Sequence, residues 1–196
     1  MKHPTRDAAI VLPRFATEQD FATWALDELS QWFLIDREIV GEHCAGKRLR
    51  LDAVLRPRDS SGWHDEQPAF GVEFKLPRDG WNLRDHTGWI RQMIDYAHTN
   101  WIGFGRLAMF ACPTLWHSLP NGAGDFQANR LLASLLGQLG VGELAKLRYR
   151  VDSYDGVTKV GGWSLMVHAG DVLWSEGIGP RAAKSRALAR PIGHSG

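Results

Sequence analysis

The chain has 196 residues, 44% of them hydrophobic, with a formal net charge of +1 and a sequence pI near 7.9. That length and apolar content suit one domain with its own core. The near-neutral charge excludes nucleic-acid binding through bulk basicity, so any such contact has to come from local clusters of Lys and Arg. Cys44 and Cys112 sit in apolar text without CxxC or Cys/His spacing, which predicts buried thiols and a reducing, cytoplasmic setting. The N-terminus lacks the apolar length of a signal peptide, and no run reaches the ~18 apolar residues of a membrane helix, so no membrane partner is expected.

In chain order, TEQDFATWALDELSQWF sets Phe21, Ala25, Leu29 and Trp32 on one helical face, with Thr17 or a neighbour as N-cap, and predicts a helix over 17–33. Three extended segments follow, LIDREIVGEH, KRLRLDAVLRP and AFGVEFKLP, which should form a meander of neighbouring strands. The Pro-, Gly- and Ser-rich text from Pro57 to Pro68 between the last two reads as a long turn. HTGWIRQMIDYAHTNWI predicts a second helix, buried through Trp89, Met93, Tyr96 and Ala97 and capped by Asp85 or Thr87. GRLAMFACP, ended by Pro113, reads as a strand covered on both faces. DFQANRLLASLLGQLGVGELA predicts a third helix, and KLRYRVDS, GVTKVG and WSLMVHAGDVLW a small terminal sheet. The fold class is therefore α/β: a mixed central sheet flanked by helices, with a C-terminal helix and small sheet extension. A single domain is expected over 1–176, its core over 17–112 and its extension over 113–176, before a basic flexible tail at 177–196.

Two predicted strands each carry an acid inside an apolar run. In FGVEFKLP, Glu73 and Lys75 point to one side while Val72, Phe74 and Leu76 point to the other. In RLRLDAVLRP, alternation puts Asp52 with Arg48 and Arg50, opposite Leu49, Leu51 and Ala53. If the strands pair, Asp52 and Glu73 share one notch. Two carboxylates so close repel unless a cation lies between them, which makes the notch a candidate Mg²⁺ site. The Lys75 amine beside it could orient or deprotonate water, or steady charge on a phosphate.

Asp52 followed by Glu73-Phe74-Lys75, with Gln92 and Tyr96 in QMIDY on the next helix, resembles the PD-(D/E)XK nuclease superfamily in its RecB-like and lambda-exonuclease-like branch. The resemblance covers roughly residues 17–112, in the order helix, three strands, helix, strand of the restriction-endonuclease-like core. It implies a Mg²⁺-dependent deoxyribonuclease, Mn²⁺ substituting, with DNA as partner and a role in end processing or recombination, as in small bacterial or phage nucleases. Asp52, Glu73 and the Phe74 carbonyl would hold the metal, with Glu18 as the helix acid and Glu28 in reserve. Lys75 would assist water, and Gln92 and Tyr96 would position groups and DNA. Arg50, Arg78 and Arg91, within a wider set that includes Arg48, Arg56, Arg58 and Arg84, would meet phosphates. Leu51 stands where the family's leading proline would be. Endonuclease or exonuclease action and oligomeric state, homo-oligomer included, stay open. The alternatives are a non-catalytic module of this fold that binds DNA or a protein, and an interaction protein whose notch is a salt-bridge cluster with Arg48 and Arg50.

Overall fold

A computed structural model of the chain describes residues 9–10, 13–63, 65–76, 83–113, 125–148, 162–167, 171–176 and 179–180. Its elements are β1 (Ala9–Ile10), α1 (Glu18–Leu29), β2 (Phe33–His43), β3 (Arg48–Pro57), β4 (Phe70–Phe74), α2 (Leu83–Ala97), β5 (Thr99–Trp101), β6 (Ala108–Cys112), α3 (Asp125–Gln138), β7 (Val141–Arg148), β8 (Trp163–Val167), β9 (Asp171–Ser175) and β10 (Gly179–Pro180). They build a mixed sheet ordered β10-β9-β8-β7-β6-β4-β3-β2-β5, with β1 against the end of β7. The β2–β3–β4 meander is antiparallel, whereas β4–β6 and β6–β7 are parallel. No helix among the described residues is long and apolar enough to cross a membrane.

Thr17 caps α1 by accepting a hydrogen bond from the Asp20 N–H at 3.1 Å. Phe21, Ala25 and Leu29 turn inward onto Phe33, Phe70, Phe74 and Phe110, forming the larger apolar cluster. On the opposite face of the sheet α2 lays down the expected stripe of Trp89, Met93, Tyr96 and Ala97, joined by Leu136 of α3. Strand β6 between them is buried along its whole length, as a parallel strand covered on both sides must be.

Several expectations need correction. The first helix ends at Leu29, because residues 30–32 turn the chain into β2; Trp32 packs beside the core from outside the helix. The second helix begins at Leu83, which places Asp85 and Thr87 inside it, and the text THR-ASN-TRP at its supposed end is β5. Gly41 lets β5 lie flush on β2, since a Cβ there would meet Thr99 Cγ2 and the Trp101 ring, each at 2.6 Å. The third helix stops at Gln138: Gly140, at φ +80°, reverses the chain, and VGELA opens β7. The terminal strands are no separate small sheet, because β7 pairs with β6 and carries β8, β9 and β10 onward in the same sheet. Of the expected flexible tail, Gly179–Pro180 pair with β9 and residues 181–196 lie outside the described residues. Cys112 is buried, but Cys44 is exposed in the β2–β3 turn. Trp63 in the long turn packs on Phe70 at 4.9 Å between ring centroids, while Trp81 and Trp116 lie outside the described residues.

Candidate active site

The β3–β4 ladder pairs Leu55 with Phe70, Val54 with Gly71 and Ala53 with Val72, then stops. Beyond that point the Phe74 N–H is taken by a side chain instead of a β3 carbonyl: Asp52 Oδ2 accepts it at 2.8 Å. The two strands part, and Asp52 and Glu73 stand in the opening close enough for the Asp52 charge to act on the Glu73 acid.

Glu73 is only 5% exposed. Its Oε1 accepts from Gln92 Nε2 at 2.6 Å, the same amide donates to the Tyr96 hydroxyl at 3.0 Å, and that hydroxyl donates to the Arg50 carbonyl at 2.8 Å. Spacing of four on α2 puts Gln92 and Tyr96 side by side, so one helix face buttresses one carboxyl. The other oxygen, Oε2, is buried without a hydrogen bond, although the Lys75 charge and the Asp52 N–H both act on the carboxyl and oppose its rise. Burial and then the Asp52 charge push the Glu73 acid up to about 9. Asp52 is also raised, by burial first, against the lowering effect of the Phe74 N–H, with the Glu18 charge adding to the rise. Burial and the Glu73 charge push the Tyr96 hydroxyl up to about 12, so it stays a donor.

This donor set fits a hard divalent cation. Burial raises the proton affinity of both acids, the Asp52 charge adds to the rise at Glu73, and one Glu73 oxygen has no hydrogen bond; an ion with oxygen preference offsets these costs together, and Mg²⁺ characteristically keeps several waters beside one or two carboxylates. Among the described residues no three His, Cys, Asp or Glu side chains converge as a ready-made cage. Glu18, expected as a third acid, is exposed at the start of α1: Oε1 meets Lys75 Nζ at 3.5 Å and Oε2 accepts from the Leu76 N–H at 3.2 Å. Its reserve, Glu28, serves elsewhere, accepting from Lys146 Nζ at 2.5 Å and Trp163 Nε1 at 2.8 Å. Phe74 is the last residue of β4, its ring buried in the α1 cluster and its N–H on Asp52.

The arginines do not form one rim. Arg48 and Arg56 are eight positions apart on β3, about 27 Å in an extended strand. Arg56 pairs with Asp36 at 2.9 Å and Arg58 donates to the Ser30 carbonyl at 2.8 Å, both at the α1 end. Arg48 and Arg50 lie toward the α2 end, Arg50 meeting Glu38 at 3.4 Å; Arg84 and Arg91 are exposed on α2, and Arg78 lies outside the described residues.

One acid escaped the sequence reading. Glu73 pairs with Ala111, and Ala111 with Glu143, so Glu143 stands in the same cross-strand row two strands away and is buried. It was hidden because VGELA scans as the end of a helix; the Gly140 stop was the available signal.

Comparison with protein-family models, with curated proteins and with solved structures returned no match.

Proposed function

We propose that the protein is a Mg²⁺-dependent deoxyribonuclease of PD-(D/E)XK type with a restriction-endonuclease-like core. The observation that carries this reading is the opening between β3 and β4, where Asp52 and the partnerless Glu73 oxygen share one buried notch beside Lys75. The order α1, β2, β3, β4, α2, β6 supports it too, as does the hydrogen-bonded pairing of Gln92 and Tyr96 behind Glu73. The salt-bridge reading loses support: Asp52 bonds a backbone N–H, and Arg50 turns to Glu38.

Asp52 and Glu73, with the Phe74 carbonyl, would hold the ion. When bound, Mg²⁺ supplies Lewis acidity to the scissile phosphate and charge to the leaving oxygen. Gln92 and Tyr96 hold the Glu73 carboxylate in one orientation. Lys75 Nζ orients the attacking water and sets positive charge beside the phosphate, and exposed Arg50 and Arg91, with Arg78, meet the flanking backbone.

The test is incubation of linear, circular and single-stranded DNA with Mg²⁺ or Mn²⁺, comparing wild type with Lys75→Ala. Cleavage by the wild type alone supports the reading, and cleavage that survives the substitution rejects the mechanism. DNA binding without cleavage, unchanged in Asp52→Ala, marks a non-catalytic module instead.

A further inference from the structure

Glu38 is the one non-glycine among the described residues with a left-handed backbone, φ +55°. It sits in β2 directly across from Asp52. The β2–β3 ladder is regular on either side, Arg37 opposite Ala53 and Ile39 opposite Leu51, and lapses at this pair. Register is the same before and after the gap, so no residue is inserted and the irregularity is not a bulge. What changes is which way the strands face. On one side of the gap Phe33, Ile35, Ala53 and Leu55 pack into the α1 cluster; on the other Ile39, Leu49 and Leu51, which regular alternation would keep on that same side, pack into the α2 cluster. Regularly extended residues alternate, so an exchange of faces between i and i+2 needs a residue off the extended region, and in β2 that residue is Glu38. A left-handed residue supplies the missing rotation, at a cost in backbone strain of the kind stored at functional sites.

Asp52 is the residue at which β3 turns over. Its carboxylate reaches the β4 edge and the Phe74 N–H, where regular alternation had put it beside Arg48 and Arg50. The Glu38 carboxylate itself does little, meeting Arg50 at 3.4 Å with both side chains about two-thirds exposed.

We propose that Glu38 is a positioning residue of the active site, acting through its backbone: the left-handed conformation opposite Asp52 turns the β2–β3 ribbon over and aims Asp52 into the notch. The functional consequence rests on the nuclease reading above; the geometric one does not.

The experiment compares Glu38→Gly and Glu38→Asn, which accept the left-handed region, with Glu38→Val, which rejects it. Three quantities are read on the full chain: hydrogen exchange at the Phe74 amide, the Mg²⁺ concentration for half-maximal thermal stabilisation, and cleavage of linear duplex DNA. In Glu38→Val, Phe74 exchange should quicken and the Mg²⁺ requirement rise, each by about tenfold, while Glu38→Gly and Glu38→Asn stay within about twofold of wild type. Should the valine variant not fold, Glu38→Ala replaces it, with the same direction expected. The proposal is overturned if the valine or alanine variant matches wild type in Phe74 exchange, or if the glycine variant falls as far, which would assign the effect to the carboxylate. A wild type that neither responds to Mg²⁺ nor cuts DNA removes the nuclease reading alone, because the exchange comparison needs neither.

Discussion

Glu28 of α1 on one face of the sheet and Glu73 of β4 on the other are two inward acids treated in opposite ways. On the α1 face Glu28 meets donors: Lys146 and the Trp163 indole both donate to its Oε2, and the Lys146 amine lies 5.0 Å from the centre of the Trp24 ring. That is how a carboxylate ties a helix to a sheet, with charge matched and donors supplied. On the α2 face Glu73 is buried more deeply, faces a second acid whose charge raises it more than Lys75 lowers it, and keeps one oxygen without a hydrogen bond. A fold gains no stability from such an arrangement. The contrast separates an acid that holds structure from one left in a costly state, the one proposed above to take the metal.

Substitutions on the two faces should divide accordingly, and the largest effect belongs to Lys75. Lys75→Ala should lower the DNA cleavage rate by about 10²–10⁴-fold, the range for a positioned proton-transfer group, while the melting temperature stays close to wild type. A rate within about threefold of wild type would remove Lys75 from the chemistry.

Glu73→Gln should slow cleavage to a lesser degree and yet stabilise the metal-free protein at alkaline pH. The folded Glu73 titrates near 9 against an ordinary 4.5, so between those values the folded state keeps a proton that the unfolded state has lost. Stability therefore falls as pH rises through that window, and glutamine, which cannot ionise, escapes the fall. Thermal melts should show a variant several degrees above wild type near pH 8.5, the two converging toward pH 4, with Mg²⁺ raising the melting temperature of wild type only. A variant less stable than wild type at high pH would place Glu73 with Glu28 as a structural acid.

Glu28→Gln should do the reverse, costing about 1 kcal/mol because the pair is partly solvated, or roughly 2–4 °C in melting temperature, with the Mg²⁺ response intact. An equally small effect is expected from Tyr96→Phe. Loss of the hydroxyl bond to the Arg50 carbonyl should cost about 1 kcal/mol, and Gln92, still donating to Glu73, should preserve most of the Mg²⁺ affinity.

Much of this arrangement is visible in the text of the chain. The Thr17 cap, the α2 stripe and the buried β6 run follow from periodicity and composition, which are local properties. The same periodicity aligns Glu73 with Lys75 and Gln92 with Tyr96. It misled where two periods were both plausible, as at VGELA, and where one segment carried two elements, as in the α2–β5 text. The seven arginines looked like one cluster because they are close in sequence, yet an extended strand spreads Arg48 and Arg56 far apart.

Residue order alone determined which side chains could serve as acids, lysine and helix partners, because one-dimensional spacing decides which of them share a face of a strand or helix. Only the tertiary structure decided where those faces point. The left-handed residue opposite Asp52 reverses the ribbon, Glu18 is drawn to Lys75, and β7 brings Glu143 into line with Glu73. Each depends on strand pairing between distant segments or on a single backbone rotation, and neither leaves a periodic trace in the sequence.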